Sequence, residues 1–384
     1  MPFEFATAGR IVFGAGSIAD LPSIVHSLGT HALLVTGRHP DRHSALIASL
    51  GAAGVSCEIW CSSGEPTVPS VTEGVARLRA SGSHVVVAIG GGSAIDAGKA
   101  VAALATNDGD VLDYLEVVGK GRPLSAAPLP FVAVPTTAGT GSEVTRNAVL
   151  GVPEHGIKVS LRSPLMLPRV AVVDSTLSLD LPPGVTASTG LDALTQLIEP
   201  YVSSRANPFV DALCVDGIAR AAGALRVAYD DGRNAAAREE MALASLFSGL
   251  ALANAGLGAV HGFAAPIGGR FDAPHGAVCA ALLPHVCAAN LRAIASRDPK
   301  HPARARYDIV ARLLTGQTDA TAEDGVRWLR AVVQDLGISS LGTYGVGVSD
   351  VKGLVEQASR ASSMKANPIV LSGDELAGVL EAAI

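Results

Sequence analysis

The chain has 384 residues, of which 48% are apolar and 17% charged. This composition excludes a disordered chain, and the length is sufficient for two ordinary domains. The net charge of −6, with no block of Lys or Arg, argues against a nucleic-acid partner. The N-terminus has no basic segment followed by an apolar one, and no run of about 18 uncharged apolar residues occurs, so we expect a cytoplasmic protein without a membrane span.

The first half of the chain alternates between strand and helix patterns. Continuous apolar runs followed by Gly, Pro or Ser predict strands at 31–37, 55–61, 84–90, 131–137 and 169–174. Apolar residues at helical spacing predict helices at 40–54, at 70–82 with a serine cap, and from Ser93 onward. Strands that alternate with helices are typical of a parallel, doubly wound sheet.

The pattern changes after about residue 180. From there to the C-terminus the sequence is rich in Ala and Leu at helical spacing, and β-branched runs disappear. We therefore predict an α/β domain over residues 1–181 and an all-helical domain over residues 182–384. A cleft between two domains is the usual place for a ligand.

The segment "AIGGGSAIDAGK" (88–99) leads from a strand through three glycines into a helix. Bare main-chain N–H groups beside a helix N-terminus bind phosphate, because no Cβ blocks the approach and the helix dipole favours an anion. By itself a GGGS turn fits an ordinary tight turn about as well, and it is not a GxGxxG fingerprint.

A second loop, "PTTAGTGSEVT" (135–145), also follows a predicted strand and offers hydroxyls and amides. Two such loops at the carboxyl ends of neighbouring strands fit the rule for ligand binding in open α/β sheets. They favour a dinucleotide site over a pair of ordinary connections.

Four motifs stand in the order and spacing of one known family. They are "GGGSAIDAGK", "PTTAGTGSEVT", "GLDALTQLIEPYVS" (190–203) and "VHGFAAPIGGRFDAPHG" (260–276). In these residues the chain resembles the iron-containing (group III) alcohol dehydrogenases, which include the maleylacetate reductases, and the likeness spans nearly the whole chain. The resemblance implies an NAD(P)-dependent oxidoreductase with a dinucleotide-binding parallel-sheet domain and a helical domain, in the fold shared with dehydroquinate synthase.

The resemblance also implies cofactor contacts. Gly91, Gly92 and Ser93 correspond to the residues that hold the pyrophosphate, with Asp96 and Lys99 on the helix behind them. The other positions are expected along the cofactor: Thr136, Thr137, Ser142 and, at the ribose, Lys158. A solvated surface lysine is the alternative for Lys158.

In the family, one Asp and three His hold a divalent metal, Fe²⁺ or Zn²⁺. The matching positions here are Asp192, Gln196, His261 and His275, so an amide replaces one imidazole. An amide oxygen is a poorer ligand than imidazole for zinc or iron. We expect a bound metal and catalytic roles for Asp192, His261 and His275, and a metal-free site that works by hydrogen bonding is the alternative.

A further departure lies four residues after His261. Members of the family often carry a histidine there that is thought to relay protons, whereas this chain has Ala265. Proton relay would then pass through water, the cofactor ribose or His275. The change suggests a substrate other than simple primary alcohols.

The choice between NAD and NADP depends on the residue after the first predicted strand. An acidic residue at this place binds the ribose 2′-OH and repels a 2′-phosphate. Relatives that prefer NAD commonly have Asp at the position of Gly37, and Arg38 and Arg42 follow it here. We therefore expect NADP(H) to be accepted and preferred, with charge-assisted contacts from these arginines.

Three other functions fit the sequence less well. A maleylacetate-type reductase would act on an unsaturated oxo-acid, possibly without metal, with Arg146, Lys158 and Arg270 as candidate cations. A lyase resembling 3-dehydroquinate synthase would need more basic residues, and a non-catalytic nucleotide-binding protein would explain the altered ligands. The main prediction is hydride transfer between a small alcohol and an aldehyde or ketone.

Five cysteines are scattered along the chain without metal-type pairing: Cys57, Cys61, Cys214, Cys279 and Cys287. This usage predicts unpaired and mostly inert thiols in a reducing compartment. The Ala-rich helices suit a homodimer or larger homo-oligomer, although no segment of the sequence identifies the interface.

Overall fold

A computed structural model describes residues 2–384. The chain divides into two compact units. The α/β unit comprises Thr7–Thr137 and Gly141–Ser178, and the helical unit comprises Leu179–Ile384, Ala138–Thr140 and residues 2–6. The predicted boundary between residues 181 and 182 lies just after this division.

The α/β unit contains eight strands. They are β1 (Ile11–Phe13), β2 (His31–Thr36), β3 (Ser56–Cys61), β4 (Val85–Gly90), β5 (Phe131–Pro135), β6 (Asn147–Val152), β7 (Ile157–Arg162) and β8 (Val170–Val173). Six of them form a parallel sheet in the order β1-β8-β5-β4-β2-β3. Strands β6 and β7 form a separate antiparallel hairpin. The predicted parallel sheet is confirmed, whereas β1 and the hairpin were not predicted.

Five helices accompany these strands. They are α1 (Leu21–Leu28), α2 (Ser44–Ala52), α3 (Val68–Ser81), α4 (Gly92–Leu104) and α5 (Val111–Tyr114). Helix α3 begins earlier than predicted, because Thr67 is its N-cap and Ser70 completes a capping box from the third position. Ser70, the predicted N-cap, is therefore the residue whose side chain bonds back to the true N-cap, Thr67.

Both faces of the parallel sheet are buried. Leu33 and Val35 of β2 belong to the apolar core that includes α3 and α4. Ala32 and Leu34 of the same strand belong to the core that includes α1 and α2. Because successive side chains of a strand point to opposite faces, a strand covered on both sides is apolar at every position. This explains the unbroken apolar runs in the sequence.

The strand order reverses between β2 and β4. From β2 the chain passes to β3 on one side, and then returns to β4 on the other side of β2. In open α/β sheets such a reversal opens a crevice at the carboxyl ends of the strands, and ligands bind there. Gly37 follows β2 at this edge, and Gly91 follows β4.

The helical unit contains nine helices in its described residues. They are α6 (Pro183–Val202), α7 (Pro208–Asp230), α8 (Ala235–Ala255), α9 (Ala259–Arg270), α10 (His275–Arg297), α11 (Ala303–Thr315), α12 (Ala322–Asp335), α13 (Val351–Arg360) and α14 (Gly373–Ala383). Their buried apolar residues form one continuous core. The predicted all-helical character of this half is confirmed.

Two short segments that precede residue 179 belong to the helical unit. The side chain of Asn254 accepts a hydrogen bond from the N–H of Ala6 at 2.7 Å and donates one to its carbonyl at 3.0 Å. At Gly139, a Cβ would lie 2.6 Å from Cβ of Thr189 on α6, so only glycine allows this approach. The sequence prediction placed both segments in the first domain.

Helix α10 is long and apolar enough to cross a membrane, although no such span was expected from the sequence. In the folded unit, 83% of its apolar window is buried. Its residues include Val278, Leu282 and Ile294 of the helical core. Helix α10 therefore has the burial of a core helix.

Candidate active site

The glycine turn lies at the junction of β4 and α4. Gly91 is the N-cap of α4 and makes no side-chain capping bond, and residues 90–93 are all partly exposed. The first N–H groups of a helix have no partner within the helix. Main-chain donors are thus available to an anion here, and binding of the cofactor pyrophosphate at this turn stays a prediction.

The second loop lies beside this turn. Gly90 and Pro135 are paired in the sheet, and the N–H of Thr136 donates to the carbonyl of Gly90 at 2.9 Å. A Cβ on Gly91 would lie 3.4 Å from the methyl group of Thr137. The structure therefore brings Gly91, Thr136 and Thr137 to one edge of the sheet.

Asp96 and Lys99 of α4 are turned toward the second loop and the hairpin. The ammonium group of Lys99 donates to Ser142 O at 2.8 Å, Thr145 Oγ1 at 2.9 Å and Asn147 O at 2.7 Å. Asp96 Oδ2 accepts from the N–H of Val149 at 3.0 Å. These contacts fix the position of the loop, and a direct contact of Asp96 with a cofactor stays a prediction.

Three further predicted cofactor residues differ in their surroundings. Gly37 is partly exposed, and a Cβ built on it meets no atom within 4 Å. Arg38 is exposed beside it. Lys158 of β7 forms an ion pair with Glu65, so its ammonium group is already partnered.

Helix α6 supplies the first part of a second cluster, in the helical unit. Asp192, Gln196 and Glu199 are spaced by four and three residues, which places them on one helix face. All three are buried. Oδ2 of Asp192 accepts a hydrogen bond from Gln196 Nε2 at 3.1 Å, whereas its Oδ1 has no hydrogen-bond partner within residues 2–384.

Glu199 connects α6 with the start of α9. Its Oε1 accepts from the N–H of Val260 at 2.8 Å, and its Oε2 lies 2.7 Å from Nδ1 of His261. A Cβ on Gly258 would lie 2.8 Å from Oε1 of Glu199, so a side chain there would displace this carboxylate. Since a carboxylate only accepts, Nδ1 of His261 carries a proton toward Glu199, so it is Nε2 that can offer a lone pair when the ring is neutral.

Helix α10 supplies His275 as its first residue and Cys279 one turn later. A Cβ on Gly276 would lie 2.5 Å from the carbonyl oxygen of Ser188 on α6. This close backbone approach brings the N-terminus of α10 against α6. The ring of His275 lies next to His261, with ring centroids 5.4 Å apart.

Four side chains converge on one point. Oδ1 of Asp192 lies 3.4 Å from Nε2 of His261 and 3.7 Å from Nε2 of His275. Sγ of Cys279 lies 3.7 Å and 3.6 Å from the same two nitrogens. Asp192 is 1% exposed and His275 is 38% exposed, so the cluster is accessible on the His275 side. Such a group of O, N and S donors can hold a metal ion.

The electrostatics of the cluster favour added positive charge. Burial alone would raise the pKa of Asp192, but the neighbouring His275 and His261 outweigh it and keep this pKa below its ordinary value. Burial would lower the pKa of His275, but Cys279 and Asp192 outweigh it and raise this pKa to about 9. Two protons or one divalent cation would supply that charge.

Gln196, the expected fourth ligand, is held away from this point. Its Oε1 accepts from Ser248 Oγ at 2.9 Å, and its Nε2 is the group that faces Asp192. Rotating the amide would place an oxygen against the carboxylate, which is unfavourable. A ligand role for Gln196 stays a prediction. Its contacts indicate that Gln196 positions the carboxylate of Asp192.

Two residues of the cluster were missed in the sequence. The sequence predicts an inert thiol at Cys279 and gives no prediction for Glu199. The only local signal is their spacing, because Cys279 is four residues after His275 and Glu199 is seven after Asp192, which places each pair on one helix face. This spacing does not show which face lines the site. Ala265 is partly exposed and contributes no titratable group.

Comparison with known families gives a match over both halves of the chain. Residues 8–175 match the family described as iron-containing alcohol dehydrogenase. Residues 186–384 match the C-terminal domain of the Fe-containing alcohol dehydrogenase family. The residues between the two matches, 176–185, include the point where the chain passes from the α/β unit to the helical unit.

Similar proteins have related names. Alcohol dehydrogenase 4 of Saccharomyces cerevisiae is 38% identical over 83% of this chain and 80% of its own length. The 1,3-propanediol dehydrogenase of Klebsiella pneumoniae is 35% identical over 99% of this chain and 98% of its own.

Solved structures of proteins with related names superpose on this chain. A crystal structure of a 1,3-propanediol oxidoreductase superposes with a TM-score of 0.91, at 34% identity and over the full length of both chains. Sulfoacetaldehyde reductase from Bifidobacterium kashiwanohense, solved with NAD+, superposes at 0.87 and 28% identity, covering 100% of this chain and 99% of its own. The chain belongs to the iron-containing alcohol dehydrogenase family and is an alcohol/aldehyde oxidoreductase.

Proposed function

We propose that this enzyme transfers hydride reversibly between NADP(H), or NAD(H), and a small alcohol or carbonyl compound, with a divalent metal at the cluster on α6, α9 and α10. The observation that supports it best is the convergence of Asp192 Oδ1, His261 Nε2 and His275 Nε2 on one point. The glycine turn after β4 is the proposed anchor for the cofactor pyrophosphate.

The residues present fit a metal. A buried carboxylate oxygen without a hydrogen bond costs free energy unless a cation or donor meets it, and Oδ1 of Asp192 is such an atom. It faces two imidazole nitrogens, which are common ligands for zinc and iron. When bound, a divalent ion supplies Lewis acidity toward the substrate oxygen.

The protein groups around this point have separate tasks. Glu199 holds the Nδ1 proton of His261 and so directs the Nε2 lone pair into the cluster. Gln196 fixes Oδ2 of Asp192, which leaves Oδ1 aimed at the imidazoles. Because these groups are buried and their partners are fixed, the ligand atoms need little reorganisation to bind.

The preference for NADP(H) is supported by the open surroundings of Gly37. No atom lies within 4 Å of a Cβ built there, and the exposed side chain of Arg38 follows at once. The structure thus leaves room for a 2′-phosphate beside a cation, without the acidic group that excludes it in NAD enzymes. Cytoplasmic location and a dimeric assembly stay predictions.

The maleylacetate-type alternative has less support. Of its three candidate cations, Arg270 is paired with Asp350 at 2.5 Å and Lys158 with Glu65. A dicarboxylate would have to compete with these carboxylates for charge. Hydride transfer to an aldehyde or ketone needs no such cation.

The test is a screen of aldehydes, ketones and maleylacetate with NADPH and NADH, combined with metal analysis. We expect carbonyl-dependent oxidation of NADPH that EDTA abolishes and metal restores. The variant Asp192→Asn should bind less metal and lose at least about a hundredfold in kcat/KM, since a Lewis acid contributes several kcal/mol. The control Asp216→Asn, on the exposed face of α7, should behave as wild type.

Full turnover by metal-free enzyme would contradict the metal role. Turnover of maleylacetate alone, insensitive to EDTA, would support the reductase alternative instead.

A further inference from the structure

The fourth donor of the cluster leads to an inference that rests on the proposed function, namely that a metal binds there. At the position where the family resemblance implies a third imidazole, this chain has Gln196, and neither end of its amide is free. Oε1 lies 2.9 Å from Ser248 Oγ, whose single hydroxyl proton it shares with Ser245 O at 2.8 Å, and Nε2 donates to Asp192 Oδ2 at 3.1 Å. The cluster therefore lacks a fourth donor on α6.

Cys279 lies where such a donor is needed. It is one turn after His275 on α10 and fully buried, with Sγ within 4.8 Å of every other ligand atom of the cluster. The unpartnered Oδ1 of Asp192, itself 1% exposed, is aimed into the same space. A carboxylate oxygen and a thiol thus face each other across two imidazole nitrogens.

The separations match the edges of a metal tetrahedron. With bonds of about 2.1 Å from zinc to N or O and about 2.3 Å to S, tetrahedral ligand atoms lie about 3.4 Å apart for N and O and about 3.6 Å apart for N and S. The corresponding distances here are 3.4 and 3.7 Å between Oδ1 and the two nitrogens, and 3.7 and 3.6 Å between Sγ and those nitrogens. A direct N–H···O hydrogen bond would be shorter, at about 2.9 Å.

We propose that Cys279 is a thiolate ligand of the metal, so that the site is formed by Asp192, His261, His275 and Cys279 instead of one Asp and three His. The exchange replaces imidazole by a softer and anionic donor. Thiolate ligands favour zinc and its spectroscopic substitute Co²⁺ over the harder ions. The site should therefore retain zinc in preference to ferrous iron.

The experiment uses the full-length enzyme loaded with one equivalent of Co²⁺. We expect an intense near-ultraviolet absorption from sulfur-to-cobalt charge transfer, present in the wild type and in Gln196→Ala. The variant Cys279→Ser should lose this band. It should also bind zinc more weakly, by more than the roughly 10- to 100-fold that loss of an outer partner costs.

Cys287→Ser is the matched control, because Cys287 is also a buried thiol of α10 but is not part of the cluster. It should keep the band. Circular dichroism and thermal unfolding check that each variant is folded, and if Cys279→Ser is not, Cys279→Asp or Cys279→His provides a second test of the band.

Bound cobalt without the sulfur band would overturn the inference and leave the proposed function in place. The band without carbonyl-dependent NADPH oxidation in the same preparation would support the inference and overturn the proposed function. Failure of the wild type to bind cobalt or zinc would overturn both the inference and the proposed metal role.

Discussion

Lys99 in the α/β unit and Asp192 in the helical unit are both charged and both 1% exposed, yet their surroundings differ. Lys99 donates to three oxygen atoms and lies 3.7 Å from Asp96. Asp192 has one oxygen without a hydrogen bond, facing two imidazoles and a thiol.

The difference separates a structural charge from a functional one. A buried charge with all its hydrogen bonds made is compensated by the protein itself, and it holds elements together. Oδ1 of Asp96 also has no hydrogen bond, but it lies 3.7 Å from the ammonium group of Lys99, which compensates its charge. Oδ1 of Asp192 faces two imidazoles and a thiol and no fixed cation, so it indicates a ligand site. Each unit thus contains a buried ionic cluster. The cluster around Lys99 stabilises the fold, whereas the cluster around Asp192 is suited to bind a ligand.

The largest expected effect comes from breaking the compensated cluster. Lys99→Met keeps the length of the side chain but leaves Asp96 and three acceptors without their cation. Removing one partner of a buried ionic network costs roughly 3–5 kcal/mol of unfolding free energy. Denaturant unfolding should show this loss, and zinc affinity of the folded variant should be unchanged.

Lys120→Met is the control for this prediction. Its ammonium group is 77% exposed and pairs with Asp113 at the surface, so little change in stability is expected. A similar stability for Lys99→Met and Lys120→Met would show that the buried network contributes nothing.

A second prediction concerns the pH dependence of the α/β unit. Burial raises the pKa of Glu143 to about 7, from an ordinary value of 4.5, against the opposing attraction of Lys99. Between these two pH values the folded state holds a proton that the unfolded state has lost. The free energy of unfolding should therefore fall as pH rises through this window, by up to about 3 kcal/mol, and the contribution of Glu143 should be complete above pH 7.

Glu143→Gln should flatten this dependence, because the amide does not titrate. Unfolding titrations at intervals from pH 4.5 to 7.5 measure the slope. The exposed Glu154→Gln should keep the slope of the wild type, and a parallel slope in both variants would rule out Glu143 as its source.

The third prediction concerns Glu199, which orients His261 in the helical unit. Glu199→Gln places an amide NH₂ against either the N–H of Val260 or Nδ1–H of His261, and so disturbs the orientation of His261. Outer partners of this kind are worth 10- to 100-fold in metal affinity. Competition with a zinc indicator should show a loss of about this size.

Asn367→Ala serves as its control. Asn367 also caps α9, by accepting from the N–H of Ala259 at 3.1 Å, but the structure gives it no hydrogen bond to His261. Loss of stability with unchanged zinc affinity is expected. Equal loss of affinity in both variants would mean that Glu199 acts through the helix start alone.

Five of the six strands in the parallel sheet could be predicted from the sequence, because their signals are local. Strands buried on both faces are continuous apolar runs, and a phosphate turn is a run of glycines after such a strand. The hairpin β6–β7 was missed, although Ala148, Leu150 and Val152 of β6 are buried in alternation. Val149 between them is apolar but 37% exposed, so the alternation is not visible in the sequence.

The cluster in the helical unit could be predicted only through the family resemblance. Asp192, His261 and His275 were found at matching positions, but Cys279 and Glu199 depend on how three helices pack. Gly258 and Gly276, which permit that packing, have no signature in an Ala-rich sequence. Side-chain partners across helices are fixed by tertiary contacts that one sequence does not reveal.

The smallest expected effect tests the cofactor edge of the α/β unit. Gly37→Asp adds a carboxylate where the 2′-phosphate is expected, at a position with free space and a backbone outside the left-handed region, so the fold should tolerate it. Repulsion of the phosphate should lower kcat/KM for NADPH about tenfold, or about 1.4 kcal/mol, while kcat/KM for NADH stays level or rises. Gly37→Asn has the same shape without the charge, and it should keep most of the NADPH activity. If the two variants lose NADPH activity equally, steric exclusion explains the loss; if neither changes it, Gly37 lies away from the phosphate and the NADP(H) preference has another origin.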